Sequence, residues 1–279
     1  MTVEIRRWPR PRSLTGQALL AAACLVVLAP CYFLILGSFK SVSEFFSSPF
    51  SLPHSWALQN FQNAWEQANL LRAFRNSVLV TAASVFLSTA CACMAAHAIA
   101  RMTRGAGLLQ MLFVAGMVLP TQLIVIAAFV EMRWLGLVGT VWPVIIIYAV
   151  YGLPLGVLLL VGFFRKLPPQ LREAAAIDGA GEWRQFFLIV LPLARIPILT
   201  VAMLNSVWIW NDFFVPLIFA NNEDLQTVPL AILNFYGENT TDYGLVFAGV
   251  LMSALPVLLL YVLMTRQFVN GVVAGAIKG

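Results

Sequence analysis

Residues 14–36 run for 23 positions without a charged side chain. A bilayer core of about 30 Å takes roughly 20 apolar residues in helical form. Five further apolar runs follow at 76–99, 108–130, 141–163, 186–209 and 245–264, and Arg195 is the one charge inside any of them. Hydrocarbon offers backbone N–H and C=O groups no partners, so runs of this kind fold as helices that satisfy their own hydrogen bonds. The expected fold class is therefore an all-α membrane protein of six transmembrane helices. The chain is 61% hydrophobic and 10% charged, against about 25% charged for a soluble domain, and neither end is expected to carry a soluble domain. Arg6, Arg7, Arg10 and Arg12 precede the first run in the manner of a signal peptide. That run is too long for a secretory apolar core and lacks a small-residue cleavage site at its end, so it is read as an uncleaved first span.

Lysine and arginine orient such a chain, because the cytoplasmic loops of membrane proteins are enriched in them. With six spans and the N-terminus inside, the inner segments hold 12 of these residues and the outer loops 4, namely Lys40, Arg72, Arg75 and Arg133. Both termini are expected in the cytoplasm. The formal charge of +5 is thereby read as orientation and not as a nucleic-acid surface, since the basic residues are scattered between apolar runs. The outer loop 37–75 carries Phe45, Phe46, Phe50, Trp56, Phe61 and Trp65, which suit a layer at the membrane surface. Prolines at 30, 120, 143, 154, 192, 197 and 256 fall within the runs. They fit a protein that changes shape and equally fit static membrane helices.

Catalytic chemistry finds no footing. The three lysines, Lys40, Lys166 and Lys278, lie outside any Gly-x-x-x-x-Gly-Lys-Ser/Thr sequence, so the chain does not bind ATP in the P-loop manner. His54 and His97 fall on opposite sides of the membrane in this topology and cannot share a metal. Cys24, Cys31, Cys91 and Cys93 all lie inside apolar runs and read as packed apolar side chains. No nucleophile–base arrangement and no paired intramembrane carboxylates are present. The expectation is a non-enzyme without a metal site or cofactor of its own.

The stretch 167–192, LPPQLREAAAIDGAGEWRQFFLIVLP, is a polar interruption between two membrane-length runs. Pro168 and Pro169 stop what precedes, and Pro169 suits the first turn of a new helix. Residues 170–178 are rich in Leu, Glu and Ala and predict a helix. Gly179 and Gly181 end it and permit a sharp turn; a second helix, 182–191, leads back to the membrane. Glu173-Ala174-Ala175, Gly179, Ile189 and Leu191-Pro192 reproduce without departure the "EAA" loop of ATP-binding-cassette importer permeases, and the chain resembles that family. The resemblance implies a cytoplasmic coupling helix between spans four and five that docks into a cleft on an ATPase. Glu173 would make the polar contact, Ala174 and Ala175 would permit close approach, and Gly179 would make the turn. Taken alone, Glu173 equally suits the N-terminal end of a helix dipole.

A second informative stretch is Asn205-Ser206-Val207-Trp208-Ile209-Trp210-Asn211-Asp212. Polar residues in a span usually face a cavity or another helix. Asn205, Trp208, Asn211 and Asp212 are candidates for a substrate path, because indole rings stack on sugar faces and amides bond hydroxyls. The other reading places Trp208 and Trp210 in the interfacial belt and makes Asn205 a helix–helix bond. With its continuation through Leu217, and with the ending 268–279, the stretch resembles sugar permeases of the maltose-permease type. That resemblance covers nearly the whole chain. It implies a heterodimer with a second permease subunit, two ATPase subunits holding ATP and Mg, and a periplasmic or lipid-anchored solute-binding protein. It places the chain in the inner or plasma membrane of a prokaryote, among membrane lipid, with no nucleic-acid partner. The Arg-rich N-terminal segment departs from the family without clear meaning. The alternative is a secondary transporter driven by an ion gradient, which would call for intramembrane Asp, Glu or His and an internal repeat; Arg195 is the one charge in a span and no repeat joins the halves.

The domain reading is a cytoplasmic segment 1–13, a six-span domain 14–264 with its EAA loop at 164–185, and a cytoplasmic tail 265–279. The outer loop 210–244 has no Lys or Arg and carries Asp212, Glu223, Asp224, Glu238 and Asp242. It is expected either to face the binding protein or to be an ordinary solvated loop. The tail, with Gly271, Gly275 and Gly279 between Val269, Val272, Val273 and Ile277, is expected to be flexible and to lie against the ATPase subunits or the inner membrane surface.

Overall fold

The computed structural model describes residues 14–56, 58–220, 222–236 and 241–276, with side chains through residue 263. The arginines of the N-terminal segment, Glu238, and the side chains of the C-terminal tail lie outside the described residues. The chain forms two compact units, one of residues up to 66 with 235–252 and one of 67–234 with 253–279.

In the first unit α1 (Leu14–Gly37) is apolar on every face and buries only Leu36 and Gly37. A helix hydrophobic all round belongs in lipid or against other helices. The following loop is more ordered than its polarity suggests, holding α2 (Val42–Ser47) and most of α3 (Gln59–Gln67). Phe45 is buried and packs on Phe33, Phe247 and Tyr243, at the start of α14 (Tyr243–Ala276). Phe45 thus closes a small aromatic core, whereas Phe46, Phe50 and Trp56 remain exposed as a surface layer would require. Lys40, which the sequence places in an outer loop, is fully buried. Its Nζ donates to Ser48 O at 2.7 Å, Pro49 O at 3.0 Å and Ser51 Oγ at 3.4 Å, which satisfies all three ammonium protons.

The second unit is built on α4 (Leu70–Arg101) and α7 (Trp142–Phe164), which pack along their lengths. The contact uses small side chains. Ser84, Ser88, Ala92 and Ala96 fall every four residues and are buried, and α7 answers with Gly152 and Gly156. A Cβ at Gly156 would stand 2.7 Å from Ala92 Cβ, and one at Gly152 would stand 3.0 Å from Ser88. Small residues let membrane helices approach and gain dispersion contacts where lipid gives no hydrophobic drive. Ser84 Oγ donates to Ile145 O across the seam at 3.2 Å.

Two expected spans are broken. The run 108–130 is not one helix: α5 (Ala106–Val118) and α6 (Thr121–Trp134) meet at 97°. Pro120 is the reason, because its ring excludes the helical conformation from Leu119, which is extended at ψ 126°. The run 186–209 is bent likewise. After the short helices α8 (Pro169–Ile177) and α9 (Glu182–Gln185) comes a π-helical turn, Phe186–Val190, then α10 (Leu191–Leu193) and α11 (Arg195–Asn211). The two arms meet at 75°. Pro192 and Pro197 supply no N–H to the preceding turn, so the ladder lacks one donor on each side of the bend, where Ala194 and Ile198 still donate. Among the described residues four helices are long and apolar enough to cross a membrane alone, and up to six spans result if each bent pair counts as one.

Beyond α11 the outer stretch holds α12 (Phe214–Phe219), a 3-10 turn Glu223–Leu225 and α13 (Val228–Leu233). The final helix, expected to end near residue 264, continues to Ala276, so the backbone of the expected flexible tail is helical as far as described.

Candidate functional site

The EAA stretch forms a helix, a turn and a return helix. Pro168 caps α8 and Pro169 opens it. Gly179 has φ +77°. The N–H of Ala180 donates to Ala175 O at 2.9 Å and that of Gly179 to Ala176 O at 3.1 Å. This pair of bonds around a left-handed residue is the Schellman arrangement, which uses glycine because it carries no Cβ. Of α8 only Ala175 is buried; Glu173, Ala174 and Ala176 face outward, and Ile177 is 87% exposed. The helix therefore presents a nearly complete free surface, on which Ala174 and Ala176 flank the Glu173 carboxylate and Leu171 and Ile177 are also exposed. Gln185 Nε2 donates to Ala180 O at 2.7 Å and ties the turn to α9.

Arg101, the last residue of α4, reaches this stretch. Its Nη2 lies 2.6 Å from Glu182 Oε1, at the first residue of α9. His97, one turn earlier on α4, is packed between Phe164 and Phe186, with ring centroids 6.1 and 4.9 Å away.

The four substrate-path candidates separate. Trp208, Asn211 and Asp212 line one open cavity of about 630 Å³ together with Met203, Leu204, Val207 and Tyr261. Asn205 does not reach it. It is 3% exposed, and its Nδ2 lies 3.2 Å from Gly152 O and 3.3 Å from Ser88 Oγ, where α4, α7 and α11 meet. The helix–helix reading of Asn205 matches this placement. At the cavity wall Asp212 Oδ2 accepts from Tyr148 Oη at 2.7 Å and from the Val215 N–H at 3.1 Å. Tyr148 is fully buried, and Trp208 packs edge-on against it at 5.6 Å and on Tyr151 at 5.8 Å. Buried tyrosine hydroxyls usually find a partner, and this one holds the Asp212 carboxylate at the cavity wall through Oδ2. Trp210, by contrast, is buried and donates Nε1–H to Ser253 O at 3.0 Å.

Tyr148 and Tyr261 are absent from the sequence-based set. The signal for Tyr148 was a pair of tyrosines, 148 and 151, on one face of an otherwise aliphatic run. The acidic outer stretch also finds a cation outside itself: Asp224 pairs with Arg72 of α4, while Asn76 Nδ2 donates to Asp224 O and Gln226 O.

Comparison with known proteins places this geometry. A family model described as "Binding-protein-dependent transport system inner membrane component" matches residues 88–267, which include the EAA stretch and the cavity residues of α11. The chain is 34% identical to the diacetylchitobiose uptake system permease protein NgcG of Streptomyces coelicolor, over 94% of this chain and 88% of the relative. It is also 34% identical to the melibiose/raffinose/stachyose import permease protein MelC of Bacillus subtilis, over 98% of this chain and all of the relative. A crystal structure of a bacterial ABC transporter involved in import of the acidic polysaccharide alginate superposes with a TM-score of 0.79 at 20% identity, covering 96% of this chain and all of that one. The fold is thus that of an ABC transporter permease. The chain belongs to the binding-protein-dependent transport system inner membrane components, multi-pass permeases of ABC transporters.

Proposed function

We propose that this permease moves a sugar or sugar-like solute across the inner membrane of a prokaryote, with both termini cytoplasmic. An external binding protein delivers the solute, and ATP hydrolysis drives the cycle. The second permease subunit of the heterodimer and two ATPase subunits complete the machine, with ATP and Mg held by the ATPases. The observation that carries the coupling half is α8: a short, exposed helix on which Ala174 and Ala176 flank the Glu173 carboxylate and Leu171 and Ile177 offer apolar surface, a shape that fits insertion into a cleft. Glu173 would contact the ATPase, Ala174 would allow approach, Ala175 would seat the helix, and Gly179 would set its angle. The sugar half is supported by the relatives named for saccharides and by the cavity at Trp208. There an indole face stands beside the Asn211 amide and the Asp212 carboxylate, groups that can bond hydroxyls. Asn205 holds the three helices that carry this wall.

The test is reconstitution of the whole transporter in proteoliposomes with candidate saccharides first screened by thermal shift of the binding protein. Uptake that requires ATP and the binding protein is expected. Glu173→Arg is expected to abolish uptake while the chain remains in the membrane. Normal uptake by a fully assembled Glu173→Arg transporter would contradict the coupling role, and uptake that follows an imposed ion gradient without ATP would replace the reading altogether.

A further inference from the structure

The α8–α9 arm touches the rest of its unit lightly, and where it does an open cleft lies on each side. One cavity of about 430 Å³ is lined by His97, Arg101, Glu182, Trp183 and Phe186 among others. A second of about 410 Å³ is lined by Arg101, Arg172, Glu173, Gly181 and Glu182 among others. Arg101 and Glu182 are common to both, so their ion pair stands between two open clefts. Glu182 is 74% exposed and Arg101 32% exposed at the side chain. An exposed pair of this kind is weak enough to open and re-form, and the open clefts on either side leave room for the carboxylate to move.

The first cavity also holds an unspent partner. His97 Nε2 is buried and makes no hydrogen bond, although a buried polar nitrogen without a partner is costly. Its ring is held by Phe164 and Phe186 and lines the cleft that Glu182 also lines, with Nε2 itself shielded from solvent in this conformation. The chain between α8 and Glu182 is Asp178-Gly179-Ala180-Gly181, with Gly179 left-handed, so Glu182 is the first side chain after the turn able to anchor the arm. Arg101 ends the helix that packs along α7 by its small residues. Displacement at Glu182 is therefore delivered to the rigid part of the unit.

We propose that Glu182 is a positioning residue for coupling, its carboxylate fastening the α8–α9 arm to the end of α4 through Arg101 in this conformation and crossing the cavity to His97 when the arm is displaced. The proposal rests on the reading of α8 as the coupling helix. In the displaced state an Nε2–H imidazole donates to the carboxylate, and Arg101 turns to solvent. Two discrete arrangements of one carboxylate are what a switch between conformations requires.

The experiment uses the assembled transporter in proteoliposomes, with solute uptake and ATP hydrolysis measured on the same sample and complexes matched for ATPase content. Glu182→Gln and Arg101→Gln are each expected to lower solute moved per ATP hydrolysed about five-fold or more, the lower end of ordinary coupling effects. Arg101→Lys keeps the charge and should keep the ratio. The exchange Arg101→Glu with Glu182→Arg should restore most of what either charge reversal alone removes, which ties the loss to this pair, while the ratio read at matched assembly separates coupling from a merely structural contact. His97→Phe keeps the packing and removes the second partner; it should slow turnover while Arg101 and Glu182 are intact. Unchanged ratios in both Gln variants, or an exchanged pair that stays uncoupled, would overturn the fastening; unchanged turnover in His97→Phe would overturn the crossing. If Glu173→Arg uncouples and the Glu182 variants do not, this inference alone falls. If Glu173→Arg is silent, the coupling reading beneath it falls.

Discussion

At Gly179 a single residue sets the direction in which α8 leaves the return helix. Its φ of +77° lies in the left-handed region, yet a Cβ built there would meet nothing within 4 Å. Space is therefore not the constraint; backbone conformation is. An L-residue in this region costs about 1–2 kcal/mol, with asparagine a partial exception because its amide can bond locally. Gly179→Ala should therefore shift the native turn by a factor of about 5–30 in population, and Gly179→Asn by much less. Uptake by the reconstituted transporter, at equal assembly, should rank Gly, then Asn, then Ala. Equal loss in both variants would mean that side-chain bulk in the docked state, and not the turn, is what Gly179 avoids. The need for a turn was legible here, because Gly179 and Gly181 follow a helix-forming segment directly. Long-range pairs were not: Arg101 and Glu182 are 81 positions apart, and Tyr148 and Asp212 are 64 apart. No local pattern joins residues that only the packing of distant helices brings together.

Among the elements, the seam of α4 and α7 bears the tightest geometry. The methyl added by Gly156→Ala would sit 2.7 Å from Ala92 Cβ and 3.2 Å from Val201 Cγ1, inside van der Waals contact on both sides. Overpacking of this kind costs about 1–3 kcal/mol. The variant should melt measurably lower than the parent in detergent, and Ala92→Gly in the same chain should recover part of the loss, because it removes the nearer obstacle. A double variant no better than Gly156→Ala alone would place the strain elsewhere. Sequence reading located both helices within a few residues at most ends, since charge-free runs have sharp edges. It extended the third and fifth runs through their bends, because hydropathy registers Pro120 and Pro192 only as two apolar residues among many. The bends follow from the missing N–H and the ring of proline, which are steric and hydrogen-bonding facts outside any apolar count. Asn205 illustrates the same limit in a polar residue: its composition fits a sugar path or a helix junction, and the neighbours Ser88 and Gly152 decide for the junction in this structure.

For the molecule as a whole, the apolar runs settle that it lies in lipid, and the distribution of Lys and Arg is the argument for its sides. The bias of 12 inner to 4 outer basic residues supports a cytoplasmic α8 and an external 3-10 turn at Glu223. The reason is electrostatic and acts during insertion, when short basic loops are retained on the cytoplasmic side. The pairing of Asp224 with Arg72 does not alter the count, since both belong to the side with few basic residues. Two positions report the sides cleanly: Ile177, 87% exposed on α8, and Glu223, exposed at the outer turn. In a background with Cys24, Cys31, Cys91 and Cys93 replaced by Ala, Ile177→Cys and Glu223→Cys place one thiol each. A membrane-impermeant maleimide added to intact cells with a permeabilised outer envelope should label Glu223→Cys at once. Ile177→Cys should react only after the inner membrane is opened. Inside-out vesicles should give the reverse order, which excludes burial as the cause of protection. Labelling of Ile177→Cys from outside would put α8 on the wrong side for ATP, and the coupling reading would fail together with the orientation.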